Sequence, residues 1–280
     1  TPGPVGLCGL LAAKVLGLRT VSIYHTDFPQ YVNILTDDTF LEGIAWQFMQ
    51  WFYDQTDLVY VNSEHYRAIW EQRGLRPSKM AILPRGLDTE LFHPSRRQED
   101  FWDQYGRDGK GPVILYVGRV SKEKDLDTFA AAVQCLRDRG LQFHVALVGD
   151  GPYLQEMQKL IPDVMSTGVL SGETLATAYA SADVFAFPSI TDTYGNVVVE
   201  SMAAGTPCVV SDVGGPKDLV KDGETGVIAK GKDVEDFARC LERLLNDPEL
   251  RTSWRERARA SVADREWSTA LQKFWEMAVS

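Results

Sequence analysis

Two carboxylates, Asp192 and Glu200, flank a Gly195-Asn196 step in the segment FPSITDTYGNVVVESMAAGTPCVVSDVGG. Glycine lets a backbone come close to a ligand. Asn196, Val197 and Val198 are the expected first residues of a helix, where amides have no intrahelical acceptor. Glu200 falls about one turn into that helix and can accept two hydrogen bonds from a vicinal diol such as a ribose carries. Asp192 can accept from sugar hydroxyls. The plain alternative is that Glu200 complements the helix dipole and Asp192 caps a turn, and the spacing alone leaves both open.

A second group lies in YVGRVSKEKDLDTFAAAV. An apolar run ends at Gly118, Arg119 and Lys124 follow, and a helix is expected from Lys124 or Asp125. Two cations beside a strand end and a helix N-terminus suit an anion, with arginine supplying a two-pronged grip. Solvated surface charge is the alternative. Asp125-Leu126-Asp127 reads as N-terminal helix charge rather than a metal site. LVGDGPYLQEM is a strand, a turn and a helix without the G-x-G-x-x-G spacing of dinucleotide sites, so a nicotinamide enzyme gains little support. Another turn falls around Leu170 and Ser171. Near the start, His25 closes the apolar run of SIYHTDFPQYV, where a lone histidine is structural or functional.

These loops need a scaffold. The 280 residues are enough for two domains. A net charge of -10 argues against a surface for nucleic-acid phosphates. Cys8, Cys135, Cys208 and Cys240 lie far apart in apolar runs without zinc-ligand spacing, which predicts reduced core thiols and a cytoplasmic setting. No apolar run reaches the roughly 18 residues of a membrane span. Apolar strands alternate with helical patterns almost throughout, the signature of α/β parallel sheets covered on both faces. The expected organisation is two doubly wound units, 1–94 and 95–280, with 94–112 a polar linker plus a short helix. Ser63 and Gly74 are the expected N-cap and C-cap of one helix in the first unit. Ligands of open α/β sheets bind at the carboxyl ends of the strands. The loops after the strands of the second unit together supply cations, exposed amides and diol-binding carboxylates, a set suited to a nucleoside diphosphate carrying a sugar.

VGRVSKEKDLD, LVGDGPY, AYASADVFAFPS and TDTYGNVVVESMAAGTPCVVSDVGG resemble the retaining glycosyltransferases of family 4. The resemblance runs over nearly the whole chain and is most specific for residues 112 to 230. It implies the GT-B fold of two facing Rossmann-like domains, the first one incomplete here, and hexose transfer from a GDP- or UDP-sugar to an acceptor hydroxyl. It implies that Arg119 and Lys124 hold the donor diphosphate. Glu200 would bind the ribose, and Asp192 would contact the donor sugar. Amides of Gly195, Asn196 and Val197 would hold sugar and phosphate, Gly118 would shape the diphosphate loop, and the backbone near Leu170 would meet the base. His25 matches a histidine that the family places near the donor sugar. Asp192 departs from the family pattern, which has Glu there. The look is closest to the branch with sulfoquinovosyldiacylglycerol synthase and lipid-directed mannosyltransferases, which suggests a lipid or glycan acceptor. No cofactor beyond the nucleotide-sugar substrate and no metal is implied.

The family's first domain normally opens with a strand and a Gly-rich loop that TPGPVGLCGLLAAKVLGL does not supply, so 1–280 is expected to be part of a longer chain. The aromatic helix with Trp46, Phe48, Met49, Trp51 and Phe52 has two readings, core packing or a peripheral contact with the cytoplasmic membrane face. Competing functions are a non-catalytic nucleotide-sugar-binding module and a GT-B sugar-nucleotide epimerase.

Overall fold

A computed structural model describes residues 2–83 and 85–279. They form two units, one of Thr1–Gly86 with Thr191–Tyr194 and Ser268–Ser280, the other of Leu87–Ile190 and Gly195–Trp267.

The first unit contains α1 (Pro4–Leu16), β1 (Val21–Ile23), α2 (Phe28–Thr36), α3 (Thr39–Asp54), β2 (Leu58–Val61), α4 (Glu64–Gln72) and β3 (Met80–Ile82). Its strands pair in the order β1-β2-β3, all parallel. Every residue of the central β2 is buried, as expected for a strand covered on both faces. Local chemistry sets the helix ends. Asp38 accepts from the amides of Phe40 and Leu41 to start α3, and Ser63 accepts from Tyr66 to start α4. Arg73 is the C-cap of α4, and Gly74, the expected one, takes the next position at φ 92. An aromatic cluster fills the core, with Trp70 edge-on to Tyr24, Trp46 and Tyr53 at centroid separations of 5.2 to 5.3 Å. Core packing accounts for part of the aromatic helix. Trp46, Met49 and Phe52 of α3 are buried, whereas Phe48 and Trp51 are 38% and 51% exposed.

The second unit contains β4 (Val113–Val117), α5 (Leu126–Asp138), β5 (His144–Val148), α6 (Leu154–Leu160), β6 (Met165–Gly168), α7 (Gly172–Ala180), β7 (Val184–Phe187), α8 (Asn196–Ala203), β8 (Cys208–Ser211), β9 (Gly226–Ala229), α9 (Val234–Asn246) and α10 (Pro248–Val262). Its six strands run parallel in the order β6-β5-β4-β7-β8-β9. The chain builds outward from β4 to β6, then returns to β4's other side at β7. That reversal is the switch point at which open α/β sheets bind ligands.

Residues 94–112 are not a free linker. Fully buried Trp102 donates its indole N–H to the Ser181 carbonyl at 3.1 Å. Arg97 donates to the carbonyls of Ala180 and Ala182 at 3.1 and 3.0 Å and pairs with Asp183 at 3.3 Å. Polar composition hid this because the charged heads are spent on backbone carbonyls, while Phe101 and Trp102 supply the anchor. The final helix, α11 (Trp267–Val279), falls almost wholly in the first unit rather than the second. Tyr60 donates to the Phe274 carbonyl at 2.7 Å and stacks on its ring at 4.9 Å. All four cysteines are free, but only Cys208 and Cys240 are buried. Cys8 is exposed and Cys135 half-buried, so the expected core placement fails for those two.

Candidate functional site

The second unit presents its chemistry on the loops after β4 and β7, strands that pair directly. After β4, Tyr116 turns its hydroxyl back to the Arg119 carbonyl at 2.9 Å and fixes the turn. A 3-10 turn, Lys122–Lys124, precedes α5. The helix therefore starts later than expected, at Leu126, after Asp125 in a left-handed conformation with φ 54. Arg119 is exposed and has no acidic partner among the described residues, while Lys124 is half-buried and already has an interaction of its own. Burial pushes the Asp125 carboxyl up, with a Thr128 hydrogen bond opposing. Asp127 instead accepts from the Tyr153 hydroxyl. Among the described residues no cluster of three His, Cys, Asp or Glu is placed to hold a metal.

The Gly-Asp-Gly turn after β5 has a packing role. A Cβ on Gly149, at φ 137, would stand 1.9 Å from the Gly118 carbonyl oxygen, and one on Gly151 would stand 2.1 Å from that of Val120. Bare backbone lets this loop lie against the cation loop. Gly118 donates to Val148 at 3.0 Å, Val120 to Asp150 at 2.9 Å and Tyr153 to Val120 at 3.0 Å.

After β7 the chain runs through Ser189, Thr191, Thr193 and Tyr194, all buried, with Asp192 half-buried. Gly195 caps α8 at φ 96 without a side-chain hydrogen bond, and its missing Cβ would press the Pro216 ring at 3.0 Å. A left-handed cap next to that ring suits only glycine. The Val198 amide donates to Gly195 at 3.0 Å, so two amides, of Asn196 and Val197, stay available rather than the expected three. Leu170 lies just beyond β6, half-buried, with Ser171 preceding α7.

Glu200 is half-buried one turn into α8. Its Oε2 accepts from Tyr179 at 2.9 Å. Burial raises the Glu200 pKa above its ordinary value, and the Tyr179 hydrogen bond works against that rise. Tyr179 is fully buried between Phe92 and Phe185, and burial drives its own pKa far upward, so it stays a donor. The sequence reading missed Tyr179. Its signal is faint, a lone aromatic near the end of a small-residue helix.

In the first unit His25 follows β1 with its ring exposed. Its carbonyl accepts from Thr193 Oγ1 at 2.6 Å, and Asn62 Nδ2 donates to the same Thr193 oxygen at 2.7 Å. Asn62 Oδ1 accepts from Arg85 at 3.0 Å. Partial burial, and then the Arg85 charge, lower the His25 pKa, which favours a neutral imidazole near pH 7. Asp192 belongs to this unit as well. Asn62, Thr193 and Arg85 were not anticipated. The cue that marks Arg119, a cation just past a strand end, marks Arg85 equally.

Residues 97–261 match the model of the family described as glycosyl transferases group 1, and residues 1–91 match that of glycosyltransferase family 4. The sulfoquinovosyl transferase SQD2 of Arabidopsis thaliana is 30% identical, over 98% of this chain and 54% of its own length. A GDP-mannose-dependent alpha-mannosyltransferase of Mycobacterium tuberculosis is 32% identical, over 95% of this chain and 68% of its own. The chain thus spans about half to two thirds of these relatives. The sucrose-phosphate synthase structure from Thermosynechococcus elongatus superposes with a TM-score of 0.83 at 24% identity, covering 97% of this chain and 70% of that one. The fold is that of GT-B glycosyltransferase structures, as the resemblance implies.

Proposed function

We propose a hexose-transferring role for this chain, which belongs to the glycosyl transferases of group 1. The donor is a nucleoside diphosphate sugar with guanine or uracil as its base. The acceptor is a hydroxyl of a lipid or glycan, and the anomeric configuration is retained. The observation that carries this reading is the set on paired strands β4 and β7. Exposed Arg119 without a carboxylate, Lys124 on its turn, two open amides of α8, and Glu200 held half out of water by a buried tyrosine share one switch point.

Each group has a task. Arg119 and Lys124 offset the charge that develops on the leaving diphosphate, the kind of preorganised stabilisation worth several kcal/mol. Gly118 and Gly195 keep side chains away from the phosphates, and the Asn196 and Val197 amides donate to donor oxygens. Glu200 Oε1, opposite the edge taken by Tyr179, accepts from the ribose diol. The backbone at Leu170 meets the base. Asp192 and His25 act on the transferred sugar, and the Asn62–Thr193 pair holds the His25 backbone. The leaving phosphate itself serves as the base for the acceptor hydroxyl. This chemistry is electrostatic and positional and uses no protein nucleophile. The SQD2 and mannosyltransferase relatives are the basis for the sugar-nucleotide donor.

The test is calorimetric titration with GDP, UDP and ADP, beside transfer assays on Lys124→Ala. One nucleotide is expected to bind, and transfer is expected to be lost in the variant. Near-normal turnover by Lys124→Ala would sink the assignment of the cation loop. Nucleotide binding without turnover by the wild-type chain would favour a binding module instead.

A further inference from the structure

Arg85 is a half-buried cation without a counter-charge. It sits three residues past β3. One terminal nitrogen donates to Asn62 Oδ1 at 3.0 Å, and the guanidinium carbon lies 5.3 Å from the centroid of the Tyr194 ring. No carboxylate pairs with it among the described residues, and its Nε is buried with no hydrogen-bond partner. Nearby His25 repels rather than compensates it when protonated. A cation taken out of water is costly unless paired, and an unmet buried donor adds to that cost. Proteins keep such groups where a ligand completes them.

Arginine's planar fork suits a two-oxygen grip on an oxyanion. The Asn62 bond and the Tyr194 ring fix one nitrogen and one face of that fork, and because Nε is buried it is the terminal nitrogens that can meet a ligand. We propose that Arg85 is an oxyanion subsite, with its terminal nitrogens holding a sulfonate, carboxylate or phosphate group beside His25. The group is carried either by the transferred sugar or by the acceptor. This choice of carrier rests on the sugar-transfer reading, whereas the anion site itself does not. The subsite would make the enzyme selective for a charged substrate, because a neutral analogue leaves the cation unpaired.

Two experiments on the full chain test the proposal separately. In the first, sodium sulfate and methanesulfonate are titrated at constant ionic strength while NMR follows the Arg85 Nε–Hε cross-peak, assigned by its loss in Arg85→Met. A saturable shift that chloride does not produce is expected, and its absence overturns the subsite. In the second, calorimetry compares UDP-glucose with UDP-glucuronate, GDP-mannose with GDP-mannuronate, and glycerol with glycerol 3-phosphate. One charged member should bind about tenfold or more tightly than its neutral partner, the size of one charge-assisted hydrogen bond pair. Arg85→Met should abolish that preference, and Arg85→Lys should restore only part of it. Circular dichroism checks that both variants fold. A donor preference assigns the anion to the sugar, and a glycerol phosphate preference assigns it to the acceptor. Parity in every pair, with wild-type protein, overturns selection by Arg85. Failure of every nucleotide to bind, with the sulfate shift intact, removes the sugar-transfer reading and leaves the anion site standing.

Discussion

Among the charged side chains that the two units withdraw from water, Glu200 and Arg85 are compensated in opposite ways. In the second unit Glu200 receives a hydrogen bond from Tyr179, and Tyr179 is itself locked between Phe92 and Phe185. In the first unit Arg85 has Asn62 on one nitrogen, a ring on its face and nothing on Nε. Glu200 has one edge fixed by a buried donor. Arg85 is left incomplete. The contrast teaches that burial by itself does not mark a site. What marks one is a buried charge whose remaining hydrogen-bonding capacity has nowhere to go within the fold.

The sharpest way to break the comparison is to remove the support of Glu200. Tyr179→Phe leaves a half-buried carboxylate without its donor, and the ring still fills its space. Stability should fall by about 1–3 kcal/mol, the cost of stranding a buried polar group, measured as a lower denaturant midpoint at constant m-value. The Glu200 pKa should rise further, because the opposing hydrogen bond is gone. An unchanged midpoint would mean that Glu200 is already solvated and needs no partner.

Arg85→Met should behave differently. It removes an uncompensated charge and keeps most of the side-chain volume, while the buried Asn62 Oδ1 loses its donor, so the two effects offset and stability should hold within about 1 kcal/mol. A clear loss of stability would assign Arg85 to the scaffold and remove the contrast with Glu200.

Much of this arrangement was legible in the sequence, and the reasons differ from place to place. The loop after β7 was readable because a glycine cap, a helix start and a carboxylate one turn later are all local in sequence. The cation loop was readable in its residues but not in its backbone. A 3-10 turn and a left-handed Asp125 delay the helix, and nothing in the composition of KEKDLD announces that. The glycines of LVGDGPY announced a turn but not its cause, which is contact with the neighbouring loop at Gly118 and Val120. Tyr179, Asn62 and Thr193 were silent because their partners are 21, 131 and 168 residues away. α11 was silent for the same reason: its membership in the first unit depends on Tyr60, which is 214 residues from Phe274.

The smallest expected effect sharpens the comparison most. Glu200→Gln keeps an oxygen to accept from Tyr179 and removes a charge that burial disfavours, so the unliganded protein should change by no more than about 0.5 kcal/mol. Its affinity for the nucleotide found by calorimetry should nevertheless fall by about tenfold, since a carboxylate accepts from a diol more strongly than an amide does. The wild-type pH profile gives the same information without mutation. The folded-state pKa of Glu200 lies above its ordinary value. Its ionised form therefore weighs against folding, and lowering the pH through that raised pKa relieves the strain while removing the better diol acceptor. Nucleotide affinity should decline as the pH falls through that raised pKa, while the unliganded fold gains from this group. In Glu200→Gln both trends should flatten. If affinity and stability instead fall together with pH in the wild type, Glu200 holds the fold together rather than the ligand. The two buried charges would then differ only in how well they are packed.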